Sequence, residues 1–172
     1  MDRPDWFRVS YVLLDALYVV YALWLGYNNS LLGFIANLPV ERDIAINMLN
    51  DVATVSGILV GFVSVLAGDN LSTILHARID READTPQFRH YVHDRIAFLA
   101  MDSIYIAGFV TVALWSILAL LNVTGSNNRQ SLVYGPLEML LAVSITLILR
   151  ILIPFFIVRR RGSKGRNLPH EP

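Results

Sequence analysis

The 172-residue sequence contains no cysteine and few charged side chains. The absence of cysteine excludes disulfide bonds, thiolate metal sites and thiol redox chemistry. Charged residues make up only 16% of the chain, whereas 55% of its residues are hydrophobic, and its mean hydropathy is +0.50. This composition departs from that of soluble globular proteins and indicates a protein of the membrane.

Charged residues are missing altogether from three long stretches of the chain. Residues 16–40, 52–68 and 103–128 carry no charged side chain, and residues 130–158 carry only Glu138 and Arg150. A helix needs about 20 apolar residues to cross roughly 30 Å of hydrocarbon. The sequence therefore predicts an all-α, polytopic membrane protein, a four-transmembrane-helix bundle in a single membrane domain, residues 1–172. The predicted transmembrane helices cover residues 7–27, 45–75, 96–121 and 133–158, and a basic tail, residues 159–172, follows.

Lysine and arginine are distributed unequally among the segments that flank these helices. The N-terminal segment, the middle connection and the C-terminal tail together hold eleven of them, whereas the other two connections hold one each, Arg42 and Arg129. Cytoplasmic flanks of membrane helices carry such an excess of positive charge. We therefore expect a multi-pass protein of the cell membrane with both termini and the middle connection in the cytoplasm.

The middle connection has a helical pattern. Helical spacing relates four apolar residues of this charged segment, Leu71, Ile74, Leu75 and Ile79. Asp84-Thr85-Pro86 then supplies a turn and a proline at the first position of the next helix. Helices 2 and 3 are therefore predicted to extend into the cytoplasm as a helical hairpin, residues 70–95. The alternative is that helix 2 breaks at Gly68-Asp69-Asn70 and that residues 71–83 form a separate interfacial helix.

Four charged residues are predicted at a similar depth in the inner leaflet: Asp15, Asp69, Asp102 and Arg150. Each ionised group costs roughly 2.5–3.5 kcal/mol near the bilayer centre on insertion scales, and the cost falls when such groups face each other. One interpretation is a structural ion network in which Arg150 holds one or two carboxylates. The other is a proton or cation pathway, because surplus carboxylates in a low dielectric must bind a proton, attract a cation or meet water.

Two further acids, Asp51 and Glu138, fall near the predicted outer starts of helices 2 and 4. Acidic residues in the first turn of a helix are stabilised by the helix dipole, which is the ordinary interpretation of both. The alternative is that the pair lines a polar outer mouth of an ion pathway.

Small residues form a stripe along one face of helix 2: Ala53, Gly57, Gly61, Ser64 and Gly68. Helix 3 has Ser103, Ala107 and Thr111 at the same spacing. Small residues let helix backbones approach closely in lipid, where the hydrophobic drive for association is missing. The stripe is predicted to pack against another helix of the same chain, or to form the interface of a homo-oligomer.

The predicted hairpin also contains three histidines, His76, His90 and His93. Imidazole and carboxylate groups at this spacing can hold a divalent metal or respond to pH, although a solvated, salt-bridged stalk is the ordinary interpretation. The basic tail is expected to set the topology, with binding of anionic lipid headgroups as a further role. No nucleic-acid-binding motif accompanies its charge.

Catalytic and cofactor-binding motifs are absent from the sequence, including GxSxG, HExxH, the P-loop and the dinucleotide fingerprint. We therefore expect neither an enzyme nor a cofactor. Three functions are consistent with the pattern. The first is an oligomeric channel or small transporter for protons or cations, which uses the buried inner-leaflet carboxylates. The second is a non-catalytic accessory or scaffold subunit of a larger membrane complex, and the third is a membrane effector or sensor that responds through its hairpin.

Overall fold

The computed structural model describes residues 5–28, 40–79, 86–123, 125 and 129–164, and its account of side chains covers residues 9–28, 40–76, 89, 91–123, 125 and 131–152. Within these ranges the chain is entirely α-helical, with four helices: α1 (Asp5–Tyr27), α2 (Arg42–Ile79), α3 (Pro86–Asn122) and α4 (Arg129–Lys164). All four are long and apolar enough to cross a membrane, over Val9–Tyr27, Arg42–His76, Tyr91–Asn122 and Ser131–Leu152. For these residues, the prediction of four helices that are long and apolar enough to span a membrane, without strands, is confirmed.

Local sequence explains where three of the helices begin or end. At the end of α1, the Asn28 side-chain amide and backbone N–H both donate to the Trp24 carbonyl, at 2.9 and 3.1 Å. The first backbone bond of α2 runs from Ala45 to the Glu41 carbonyl at 2.9 Å. Proline is the first residue of α3, where a missing N–H costs nothing.

α2 continues without a break through Gly68, Asp69 and Asn70. The alternative in which helix 2 ends there is therefore wrong. An unbroken helix satisfies its own backbone groups, which lipid cannot do, and the extra cost of one glycine is small by comparison. The hairpin tip, residues 80–85, lies outside the described residues.

α3 and α4 form the centre of the bundle. α4 packs against each of the other three helices, α2 packs most extensively against α3, and the described parts of α1 and α2 do not touch each other. Side chains from all four helices make the apolar core, among them Val19, Val63, Phe109, Met139 and Val143. α1 and α2 are therefore the outer helices, on either side of the central pair.

Two glycines allow close approaches between helices. A Cβ atom on Gly26 of α1 would lie 2.7 Å from the Met139 nitrogen and 2.8 Å from the Gly135 oxygen of α4. A Cβ atom on Gly108 of α3 would lie 2.9 Å from a methyl carbon of Val19. Glycine is needed at both places because backbone and branched side chains occupy the space of a larger residue.

The predicted small-residue stripe of α2 lies on a different face from the one that meets the bundle. Ideal Cβ atoms on Gly57, Gly61 and Gly68 meet no described atom within 4 Å, and Ser64 is exposed while Ala53 is half-buried. The buried face of α2 carries Val52, Ser56, Val63 and Asn70, and most of the stripe lies one residue further along, about 100° around the helix. Ser103, Ala107 and Thr111 on α3 are likewise exposed. Packing of these glycines within one chain is therefore wrong, and an interface between chains stays a prediction.

Alanine substitutions at Gly26 and Gly57 should change stability in opposite directions. Gly26→Ala should destabilise the bundle by about 1–3 kcal/mol, because its methyl group meets α4 backbone atoms that cannot easily move. Gly57→Ala should be neutral or stabilise by up to about 1 kcal/mol, because it gains helix propensity in open space. Unfolding by SDS titration in detergent micelles, followed by tryptophan fluorescence, measures both. Equal effects of the two substitutions would contradict the packing described.

Candidate functional site

Three of the four charged residues predicted at one depth meet inside the bundle. The Arg150 guanidinium of α4 lies between a carboxylate of α3 and a carboxylate of α1. Its Nη2 is 2.8 Å from Oδ1 of Asp102, and its Nε is 3.6 Å from Oδ2 of Asp15. The ion pairs require these parts of α1, α3 and α4 to lie at one level of the bundle. A helix rises 1.5 Å per residue, so a shift of a few residues along any of the three helices would separate the charged groups.

Each carboxylate oxygen of Asp102 has a polar partner. Its Oδ1 accepts from Arg150, and its Oδ2 accepts from the side-chain amide of Asn70 at 2.9 Å. Only 2% of the residue is exposed. Hydrogen bonds in which one partner is charged are shorter and stronger than those between neutral groups. Asp102 is therefore the firmly bound partner of Arg150.

Asp15 has a much weaker environment. Its Oδ2 is buried and accepts no hydrogen bond from any described residue. The 3.6 Å separation from Arg150 Nε is an ion-pair distance, too long for a good hydrogen bond. One guanidinium thus pairs with two carboxylates, and it lies closer to Asp102 than to Asp15. If both are ionised, this group of three carries one uncompensated negative charge.

Asp69, the fourth predicted member, does not join this group. Its side chain is 75% exposed and pairs with Arg95 Nη1 at 3.3 Å. The next residue, Asn70, takes the buried position beside Asp102. The position along α2 that meets Asp102 was predicted to within one or two residues. A step of one residue along a helix, however, also rotates the side chain by about 100° around its axis. Asn70 follows Val63 and Ser56 at seven-residue intervals along the buried face, which is the sequence signal that identifies it.

Arg95 was counted only as a topology signal in the sequence, yet it extends the network. Its Nη1 donates to Asn70 Oδ1 at 2.8 Å, while its Nε and Nη2 donate to the Tyr91 hydroxyl at 3.2 and 3.0 Å. The guanidinium carbon also lies 5.3 Å from the centre of the Tyr91 ring. A continuous series of polar contacts therefore runs from Asp15 through Arg150, Asp102, Asn70 and Arg95 to the exposed Asp69.

We call Asp15, Arg150, Asp102 and Asn70 the buried charge network. On the side away from Arg95, packed side chains cover it. The Arg150 guanidinium lies 5.3 Å from the centre of the buried Tyr105 ring. Further along the bundle, Phe109, Val112 and Val143 are completely buried. The network thus contacts the partly exposed Arg95 on one side and apolar side chains on the other.

The two acids predicted at an outer mouth do not share an environment. Glu138 is 1% exposed, whereas Asp51 is exposed. Neither lies in the first turn of its helix, because α2 begins at Arg42 and α4 at Arg129, more than two turns earlier. The helix-dipole interpretation is therefore wrong for both, and the polar outer mouth stays a prediction. Both helices begin in polar segments that precede the apolar runs from which their starts were predicted.

The predicted histidine patch is only partly described. His76 is exposed, and its Nδ1 lies 2.8 Å from the Ser72 carbonyl of its own helix. His93 is exposed as well, whereas the His90 side chain lies outside the described residues. Among the side chains that are described, no three from His, Asp or Glu come close enough to hold a metal ion. The side chains of the basic tail also lie outside the description, so lipid binding there stays a prediction.

Loss of Arg150 should destabilise the bundle more than loss of an exposed arginine. Arg150→Leu leaves Asp102 buried without its cation, which should cost about 3–5 kcal/mol. Adding Asp102→Leu in the same chain should recover much of this loss, because the orphaned carboxylate is removed as well. Arg89→Leu, on the exposed surface of α3, is the matched control. SDS titration in micelles measures each variant, and a double variant less stable than Arg150→Leu would contradict the pairing.

Comparison with protein-family models, with curated proteins and with solved structures gives no match for this chain. Its function has to be argued from the residues that the fold brings together. The distinctive group among them is a buried arginine shared between one well-bound carboxylate, Asp102, and one poorly bound carboxylate, Asp15.

Proposed function

We propose that this chain is a small channel or transporter for protons, in which Asp15 is the carboxylate that gains and loses the proton. The observation that carries the proposal is the buried Oδ2 of Asp15, which accepts no hydrogen bond from the described residues. A carboxylate in this position gains from protonation, because the proton removes the uncompensated charge while Arg150 stays paired with Asp102.

Protons fit this site better than metal cations do. A metal cation needs several oxygen ligands, and both oxygens of Asp102 are already engaged by Arg150 and Asn70. The permanent charge of Arg150 further repels a second cation at close range. A proton needs only one lone pair, and Asp15 Oδ2 offers it.

The two protonation states of Asp15 differ in what binds α1. When Asp15 is ionised, the ion pair with Arg150 draws α1 toward α4. When it is protonated, that attraction is lost, whereas the packing contacts of α1, including those at Gly26 and Val19, remain. A proton site that changes the attachment of an outer helix can expose itself to alternate sides of the membrane.

The remaining part of the path is proposed to lie between chains. Phe109, Val112 and Val143 fill the core beyond the network, so water has little room within one chain. The exposed glycine face of α2 suits close helix approach in a homo-oligomer.

The excess of Lys and Arg supports an orientation with the hairpin and both termini in the cytoplasm of a multi-pass cell-membrane protein. The lipid bilayer is its environment, and anionic headgroups are the proposed ligands of the basic tail.

Proton flux into liposomes tests this function. Wild-type protein should dissipate a pH gradient when valinomycin and potassium set the voltage, as read by an enclosed pH-sensitive dye. Asp15→Asn should reduce the flux to that of protein-free liposomes, because asparagine binds no proton in this range. Asp102→Asn should lower it by another route, since Arg150 then holds Asp15 in its ionised form.

Asp43→Asn is the matched control for these variants, because it removes an exposed acid in the first turn of α2. It should leave the flux at the wild-type value. Absence of wild-type flux at every voltage, or full flux in Asp15→Asn, would contradict the proposal.

One observation favours a second candidate, a non-catalytic accessory or scaffold subunit of a membrane complex. The filled core and the polar contacts at both oxygens of Asp102 also suit a network that only holds the helices together. This alternative predicts that the protein purifies from native membranes in fixed stoichiometry with another protein. Isolation as a homo-oligomer alone would contradict it.

A further inference from the structure

Arg95 lies at the boundary between the buried charge network and the solvent. Its side chain is 30% exposed, and a single nitrogen, Nη1, donates both to the exposed Asp69 and to the buried Asn70. No other described side chain connects the two environments in this way. Arg95 therefore lies between Asn70 and the exposed surface at this end of the bundle.

Asn70 separates Arg95 from Asp102 and is itself held from both ends. Its Nδ2 donates to Asp102 Oδ2 at 2.9 Å, and its Oδ1 accepts from Arg95 Nη1 at 2.8 Å. A side-chain amide has no proton that it exchanges readily at neutral pH, so it does not pass a proton on. Asn70 in this position therefore insulates Asp102 from the solvent as long as Arg95 holds it.

Tyr91 keeps Arg95 in this place. Its hydroxyl accepts two N–H bonds from the guanidinium, and its ring lies beside the charge at 5.3 Å. Together with the Nη1 bonds to Asn70 and Asp69, these contacts use all three nitrogens of the planar guanidinium fork, which lysine does not have. Tyr91 is one turn before Arg95 on α3, and its ring is half exposed, so the clamp is at the surface of the bundle.

We propose that Arg95 is a gate on the buried charge network, held closed by Tyr91 and Asn70 in this structure. In the open arrangement, Arg95 keeps its surface partner Asp69 and releases Asn70, whose Oδ1 then binds water. Water reaches Asp102, and through it the rest of the network. The gate rests on the proposed proton site, because it controls how that site meets one side of the membrane.

The absence of native cysteine makes water access directly measurable. A single cysteine introduced as Met101→Cys, next to Asp102 in the chain and 9% exposed, reports water at the level of the network. A second single cysteine, Ala142→Cys, is equally buried but lies eight residues from Arg150, about 12 Å along α4. Modification of each by a small water-soluble thiol reagent is followed in nanodiscs by mass spectrometry.

Removal of the gate should accelerate modification at Met101→Cys alone. Arg95→Ala should raise the rate by about tenfold or more, because loss of a charge-assisted hydrogen bond shifts a local opening equilibrium by at least that factor. Tyr91→Phe keeps the ring but loses both hydrogen bonds and should give a smaller increase. Arg89→Ala removes the same charge from the same helix and should give none.

Two results would overturn the gate. One is an unchanged rate at Met101→Cys in both Arg95→Ala and Tyr91→Phe. The other is an equal acceleration at Ala142→Cys, which would show that Arg95 only supports the fold. Neither measurement depends on proton flux. If wild-type protein shows no proton flux but Arg95→Ala still accelerates labelling at Met101→Cys, the proposed function is overturned and the gate remains. If wild-type protein shows proton flux but Arg95→Ala leaves labelling unchanged, the gate alone is overturned.

Discussion

The pairing of Arg150 inside the bundle is the constraint on which the rest of the arrangement depends. A guanidinium does not lose its charge in a protein, so at this depth it has to find carboxylates and hydrogen-bond acceptors. Asp102 from α3 and Asp15 from α1 provide the carboxylates, and Asn70 from α2 completes the ligation of Asp102. All four helices are therefore brought to one level by a single cation.

The same pairing leaves an imbalance that apolar packing cannot remove. Asp102 receives two short contacts, whereas Asp15 receives one long contact. In other proteins, replacing a buried ion pair by well-packed apolar side chains of similar volume is often neutral or stabilising. Stability alone therefore does not account for the second carboxylate, and the proposed proton-binding role offers an explanation for it. The account of function is built on this difference between two aspartates that face the same arginine.

Much of the fold follows from the sequence, because charge-free runs of this length have few alternatives to membrane helices. Depth along a helix is also readable, and counting residues places Asp15, Asp102 and Arg150 at one level. Counting residues does not give the direction in which a side chain points around its helix, which is why Asp69 was predicted at the place that Asn70 occupies. The stripe of Gly57, Gly61 and Gly68 has a clear period, but a period identifies a face and not its neighbour. Gly26 and Gly108 have no period at all, so their close contacts depend on tertiary packing that no local pattern encodes.

Infrared difference spectroscopy of the protein in lipid tests the central claim most directly, because it detects protonation of a buried carboxyl by its C=O stretch. The account predicts a titrating buried carboxyl band that is missing in Asp15→Asn and shifted but present in Asp102→Asn. A band that survives in Asp15→Asn and disappears in Asp102→Asn would contradict it, since the proton would then bind the carboxylate that Arg150 and Asn70 hold.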